Sequence, residues 1–185
     1  EVLRWRHRNG FSLYLESSAV LILDTQGTLQ GFQVLEHDIT DSIHAEIILR
    51  DSEQRLEDII NFLPDATFVI DRDRRVILWN RAMEELTGVQ AEDMLGKTNK
   101  DYSLPFYGHE RPLLIDLLWG DERNTEKKYT EFIRQGDTIT AEVFLPALKE
   151  TGAYLWGIAK PLYDSSGNTI GAIESLRVTT ERKAT

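Results

Sequence analysis

Between Asp38 and Leu63 the chain carries neither glycine nor proline, and its apolar residues recur at helical spacing. Leu49, Leu56 and Leu63 follow one another every seven residues, and Ala45, Ser52 and Ile59 fall at the offset that completes a heptad seam. Asp38 or Thr40 can cap the start by accepting a hydrogen bond from a free backbone N–H, and Pro64 ends the run. The pattern predicts one linker helix over residues 41–63. Leu49, Leu56, Ile59 and Leu63 form its candidate dimer seam, which the polar Ser52 leaves imperfect. An amphipathic helix lying on its own domain is the alternative reading of the same stripe.

Elsewhere the pattern has the period of strands. Val2–Arg8 alternates, Asn9-Gly10 reads as a tight turn, Phe11–Leu23 is rich in β-forming residues, and Asp24-Thr25-Gln26-Gly27 turns the chain into Leu29–Leu35. After Pro64, Ala66–Ile70 and Val76–Trp79 read as two strands around a polar turn. Asn80 caps a short helix over Arg81–Leu86, which Gly88 stops, and Ala91–Leu95 adds a helical turn. Lys97–Gly108 is irregular, and Glu110–Leu118 reads as a longer helix. Thr125–Arg134, Thr138–Leu148, Ala153–Tyr163 and Thr169–Thr179 supply the remaining strand material. The fold class is therefore α+β, with a five-stranded antiparallel sheet carrying short helices on one face.

The first strands resemble the last. Tyr14–Thr40 set against Tyr154–Thr180, at a constant offset of 140 with no gap, matches Tyr14/Tyr154, Leu15/Leu155, Ala19/Ala159, Asp24/Asp164, Gly27/Gly167, Gly31/Gly171 and Thr40/Thr180. The glycines and the Asp among them sit at a turn and its exit, where backbone geometry is most demanding. The repeat divides the chain into the tail of one domain (1–40), the linker helix (41–63) and a complete second copy (64–183).

Composition narrows the functions available. With 185 residues, 41% of them hydrophobic, the chain can bury one core. A net charge of −10 argues against a broad nucleic-acid or anionic-membrane surface. The absence of cysteine excludes disulfides, thiolate metal sites and cysteine-linked cofactors. No run approaches 18 apolar residues, and no signal-peptide pattern opens the chain, so the expectation is a cytoplasmic piece of a longer protein.

Within that frame, DATFVIDRDRRVILWNRAMEELTGVQAEDMLGK resembles the first half of a PAS (Per-Arnt-Sim) sensory domain, and GAYLWGIAKPLYDSSGNTIGAIESLRVTTERK resembles its C-terminal PAC portion. RNGFSLYLESSAVLILDTQGTLQGFQVLEHDIT is similar to the PAC portion of a preceding PAS domain, with Asp38-Ile39-Thr40 as the exit motif into a signalling helix. The second copy has Val178-Thr179-Thr180 there and lacks the Asp.

The resemblance implies a sensory and dimerising module inside a signalling protein such as a sensor histidine kinase or a cyclic-dinucleotide enzyme. It would work as a homodimer through the linker helix and PAS surfaces, with an effector downstream in the same chain. A structural relay without a ligand is the alternative. The PAS pocket would lie between sheet and helices. Its candidate lining is Phe68, Trp79, Leu114, Leu118, Phe144, Tyr154 and Trp156, with Asn99, Tyr102, Arg111 and Glu142 as polar points. The competing reading is that the aromatics simply fill the core.

Haem-binding members use a histidine on the long helix, for which His109 is the nearest candidate, and flavin-adduct members need a cysteine. No cofactor is predicted. His7, His37, His44 and His109 lack metal-ligand spacing, and Glu84, Glu85, Glu92 and Asp93 read as a solvated helix face rather than a catalytic pair. No catalytic or metal site is expected in this chain.

Overall fold

The computed structural model describes residues 1–120, 127–146, 148 and 152–179. Contacts divide the chain into two units, Glu1–Glu57 and Asp58–Thr185. In the first unit, β1 (Val2–Arg6), β2 (Ser12–Leu23) and β3 (Leu29–Asp38) form an antiparallel sheet in that order. The third strand runs three residues beyond the expected Leu35, because the long β2 offers partners as far as Leu15↔Asp38.

Helix α1 (Thr40–Phe62) then begins where the sequence places it. The Asp38 carboxylate accepts from the Thr40 N–H at 2.9 Å, while the Thr40 hydroxyl accepts from the Tyr14 N–H at 2.9 Å and so anchors the helix start on β2. Leu63 falls one residue past the helix end, which leaves Leu49, Leu56 and Ile59 as the helical members of the seam. All three are exposed, and no residue of α1 is buried.

The second unit contains β4 (Ala66–Asp71), β5 (Val76–Trp79), α2 (Arg81–Thr87), α3 (Ala91–Met94), α4 (Asn99–Tyr102) and α5 (Leu104–Tyr107). A 3₁₀ helix (Leu114–Leu118) and the strands β6 (Thr130–Gln135), β7 (Thr138–Leu145), β8 (Ala153–Tyr163) and β9 (Thr169–Val178) follow. The first residues of the Thr125–Arg134 prediction and Thr180 lie outside the described residues. The antiparallel sheet has the order β5-β4-β9-β8-β7-β6: six strands among the described residues, one more than expected. Each of the six runs read as strand material contributes one strand, and β6, from the Thr125–Arg134 run, is folded back onto β7 by the turn at Gly136 (φ 63°).

The long helix expected over Glu110–Leu118 is reduced to its last five residues. Proline at 112 pushes Arg111 out of the helical region and brings no N–H of its own, so helical bonding starts only beyond it. The Asp116 carboxylate then caps the 3₁₀ turn by accepting from the Leu113 N–H at 2.9 Å.

Helices and sheet enclose one core. Met83, Met94, Tyr102, Phe106, Leu114 and Leu117 from the helical segments pack with Phe68, Ile70, Ala141, Leu155, Ala159 and Leu176 from one face of the sheet. Ala66–Ile70 is buried at every position, and the one polar residue of the run, Thr67, donates its hydroxyl to the Asp65 carbonyl.

The offset of 140 that relates the two ends of the sequence also relates their hydrogen-bond ladders. Leu3↔Leu15 and Leu21↔Phe32 in the first unit correspond to Val143↔Leu155 and Pro161↔Ala172 in the second. The irregularity at Ile22/Leu23 recurs at Leu162/Tyr163. Asp24 and Asp164 each accept two turn N–H bonds, from Gln26 and Thr28 and from Ser166 and Asn168. The copies differ in what surrounds them. The outer edge of β9 pairs with β4, whereas among the described residues β3 pairs with β2 alone. Apolar side chains of the first sheet accordingly stay open, Phe32 at 69% and Leu21 at 66% exposure.

Candidate functional site

The interior wall of the second unit follows from the two-residue period of its central strands. On β7 and β8 the buried series is Ile139, Ala141, Leu145, Ala153, Leu155 and Ala159. Residues of the opposite phase point to the other face. Glu142, Phe144, Tyr154 and Trp156, expected to line the pocket, all belong to that outer phase. Phe144 and Tyr154 meet there in a tilted ring contact at 4.9 Å between centroids, Glu142 accepts from the Thr179 hydroxyl at 3.2 Å, and Trp156 stands opposite Glu142 and Arg177. Large aromatics suggested an interior. The wall is instead built from small residues (Ala141, Gly157, Ala159, Ala172), because the helices need room to approach the sheet.

The remaining expected residues sit on the helical side. Phe68 and Trp79 are core residues in ring contact at 5.6 Å, and the Trp79 indole donates to the Val89 carbonyl. Tyr102 is fully buried against Phe68. Asn99 is half-buried, its backbone carbonyl accepting from Ser103 Oγ, and Leu118 packs partly buried on the core. His109 lies in an exposed bend after α5, not on a helix.

Leu114 alone of the expected residues lines a small cavity found among the described residues of this unit. The space measures about 20 Å³, room for roughly one water molecule. Its apolar wall includes Phe106, Leu113, Val143, Leu155 and Leu176, and its polar points are Tyr107, Tyr129 and Glu174. Glu174 stands on the central strand β9, with Oε2 accepting from the Ile115 N–H at 2.7 Å. Burial pushes its carboxyl up to about 8; the Ile115 N–H pulls the other way and the neighbouring Asp116 adds to the rise.

Asp116 is itself buried, accepting from the Tyr102 hydroxyl at 2.5 Å as well as from Leu113. Burial and the Asp116 charge hold the Tyr102 phenol far above its usual range. Burial raises the phenols of both Tyr107 and Tyr129 above their usual range. The Arg111 guanidinium lies 4.2 Å from the Tyr107 ring centroid and 5.6 Å from that of Tyr129. At neutral pH the site therefore offers a protonated carboxyl, two phenols and one fixed cation: groups that recognise and orient a bound molecule.

Tyr107, Asp116, Tyr129 and Glu174 escaped the sequence reading. The signal for Glu174 was present, since it shares the inward phase of β9 with Ala172 and Leu176, where a charged residue is out of place. Asp116 and the tyrosines carry no such signal, because an acid on an expected helix and a tyrosine in a loop or edge strand are ordinary at a surface. Among the described residues no group of three or more His, Asp or Glu is placed to hold a metal ion, and no helix is long and apolar enough to cross a membrane.

Residues 60–184, more than half of the chain, match a family model described as the PAS fold. The chain belongs to the PAS fold family. Sensing and signalling is the class of function that PAS membership brings. No curated protein matches the chain.

Among solved structures, the PAS domain of Bordetella pertussis BvgS is similar at a TM-score of 0.50 and 23% identity, over 74% of this chain and 92% of that one. A PAS domain of a Colwellia psychrerythraea protein is similar at a TM-score of 0.47 and 20% identity, over 70% and 98%. The PAS domain of an HTR-like protein from Haloarcula marismortui follows at 0.44 and 14%, over 73% and 98%. At 23% identity the likeness to the BvgS domain speaks for the fold alone.

Proposed function

We propose that this PAS chain is a sensory relay: it passes a conformational signal, from a ligand or from an upstream domain, through α1 to an effector in the same polypeptide. In this reading residues 1–40 are the C-terminal part of a preceding PAS domain, the module acts as a homodimer, and the effector is a histidine kinase. The supporting observation is that each end of α1 is hydrogen-bonded into a sheet unit. At its start Asp38, Thr40 and Tyr14 lock helix to β2 and β3. At its end Asn80, fully buried, donates to the Ile60 and Asp65 carbonyls while its own carbonyl oxygen accepts from Thr67 and Met83. A change of pitch or rotation in the helix thus has a hydrogen-bonded path into the fold at either end.

Inserting residues into the helix of the parent protein tests the relay. One residue near Asp51 rotates everything beyond it by about 100°, while seven leave the rotation within about 20° and add roughly 10 Å. Output is expected to survive the seven-residue insertion and to fail with one. Equal output from both insertions would reduce α1 to a passive tether.

A further inference from the structure

Two side-chain atoms among the described residues break the rule that buried polar groups are paired. Nε and Nη2 of Arg111 are shielded from solvent and have no hydrogen-bond partner. They are not a random pair. Nε–H and Nη2–H form one edge of the guanidinium fork, the edge that meets both oxygens of a carboxylate side-on. The same chain shows that edge in use: Arg177 holds the two oxygens of Asp65 through Nε at 2.9 Å and Nη2 at 2.7 Å. Arg111 presents the same edge with nothing on it.

The surroundings hold the fork in place and leave it uncompensated. The Arg111 N–H donates to Ser103 Oγ at 3.2 Å, and the guanidinium rests on the Tyr107 ring with Tyr129 near by. Both tyrosines line the cavity. The acid on that cavity, Glu174, spends Oε2 on the Ile115 N–H and is mostly protonated at neutral pH, so it does not neutralise the cation. Asp116 is engaged with Tyr102 and Leu113. Leaving a shielded guanidinium without its counter-ion is costly, and an incoming carboxylate removes that cost.

We infer that the Nε/Nη2 edge of Arg111, whose guanidinium rests beside two tyrosines of the cavity wall, is the recognition point for a small organic monocarboxylate whose two oxygens take the fork. The neighbouring cavity, with room for roughly one water molecule, favours the smallest acids, and its apolar wall disfavours a second charge. This assignment rests on the reading of the chain as a sensor and names the chemistry it senses.

The test is thermal unfolding of the whole chain with isothermal calorimetry at pH 7, titrating sodium acetate, propionate and butyrate at constant ionic strength, with inorganic phosphate as the comparison anion. A saturable rise in Tm with at least one carboxylate, and none with phosphate, is expected. Arg111→Lys keeps the charge but loses the fork, and its affinity is expected to drop about tenfold or more. Arg111→Met should lose the response while unfolding no lower than the parent in the absence of ligand, because it removes an uncompensated charge. Arg177→Met, which breaks the occupied pair, should leave the carboxylate response intact.

No saturable response to any of the three carboxylates would overturn the assignment. So would a response that Arg111→Met retains, or one that phosphate matches. The relay stands or falls separately, on the helix insertions, since those read output and not binding.

Discussion

Glu174 shows how one residue couples the core to pH. Its carboxyl titrates near 4.5 when unfolded and is held at about 8 in the fold. Between those values the folded chain keeps a proton that the unfolded chain has released. The contribution of Glu174 to stability is therefore full below about pH 4.5, falls as pH rises through the window, and levels off above about 8. The slope is on the order of 1 kcal/mol per pH unit. Glu174→Gln keeps an acceptor for the Ile115 N–H without the ionisation, so its stability should be nearly flat from pH 5 to 8 in urea denaturation. A variant that loses stability with pH as steeply as the parent would show that another group carries the dependence.

At the scale of elements, the two copies of the three-stranded ladder set up a paired comparison. A side chain at Gly171 would collide with the Ile70 carbonyl oxygen on the neighbouring β4, whereas one at Gly31, its counterpart, meets nothing within 4 Å. Gly171→Ala should force β9 and β4 apart and cost about 2–4 kcal/mol, in the range of an overpacked site with lost ladder bonds. Gly31→Ala should change the urea midpoint little. A large loss at Gly31 would mean that the β3 edge is occupied in solution by a strand from elsewhere, in the way β4 occupies β9.

For the molecule as a whole, the exposed stripe of α1 bears on assembly. Leu49 and Leu56 stand 59% and 57% exposed, more than a helix covered by its own domain would leave open. If they form the dimer seam, Leu49→Glu with Leu56→Glu places like charges in it and should convert a dimer to a monomer in sedimentation velocity. The circular dichroism of the β-sheet units should be unchanged, because neither side chain contributes to a core. An unchanged sedimentation coefficient would move the dimer contact elsewhere or remove it.

Periodicity carried most of the fold. The linker helix, the strands of both copies, the turns at Asp24 and Asp164 and the cap at Asn80 are local, each set by a period, a turn residue or a side chain bonding to its own neighbours. The repeat at offset 140 was legible for the same reason: aligned turns enforce aligned registers. What needed three dimensions was the phase of each strand and the meeting of distant segments. A strand pattern with apolar residues on both faces does not say which face lies inside, so Phe144, Tyr154 and Trp156 read as pocket residues until packing placed Ala141, Gly157 and Ala159 there instead. The pairing of Glu174 with Ile115 spans 59 residues, and only the folded chain brings the two together. The bare fork of Arg111 is likewise a tertiary property, since a guanidinium becomes unpaired only once burial has removed the water that would otherwise satisfy it.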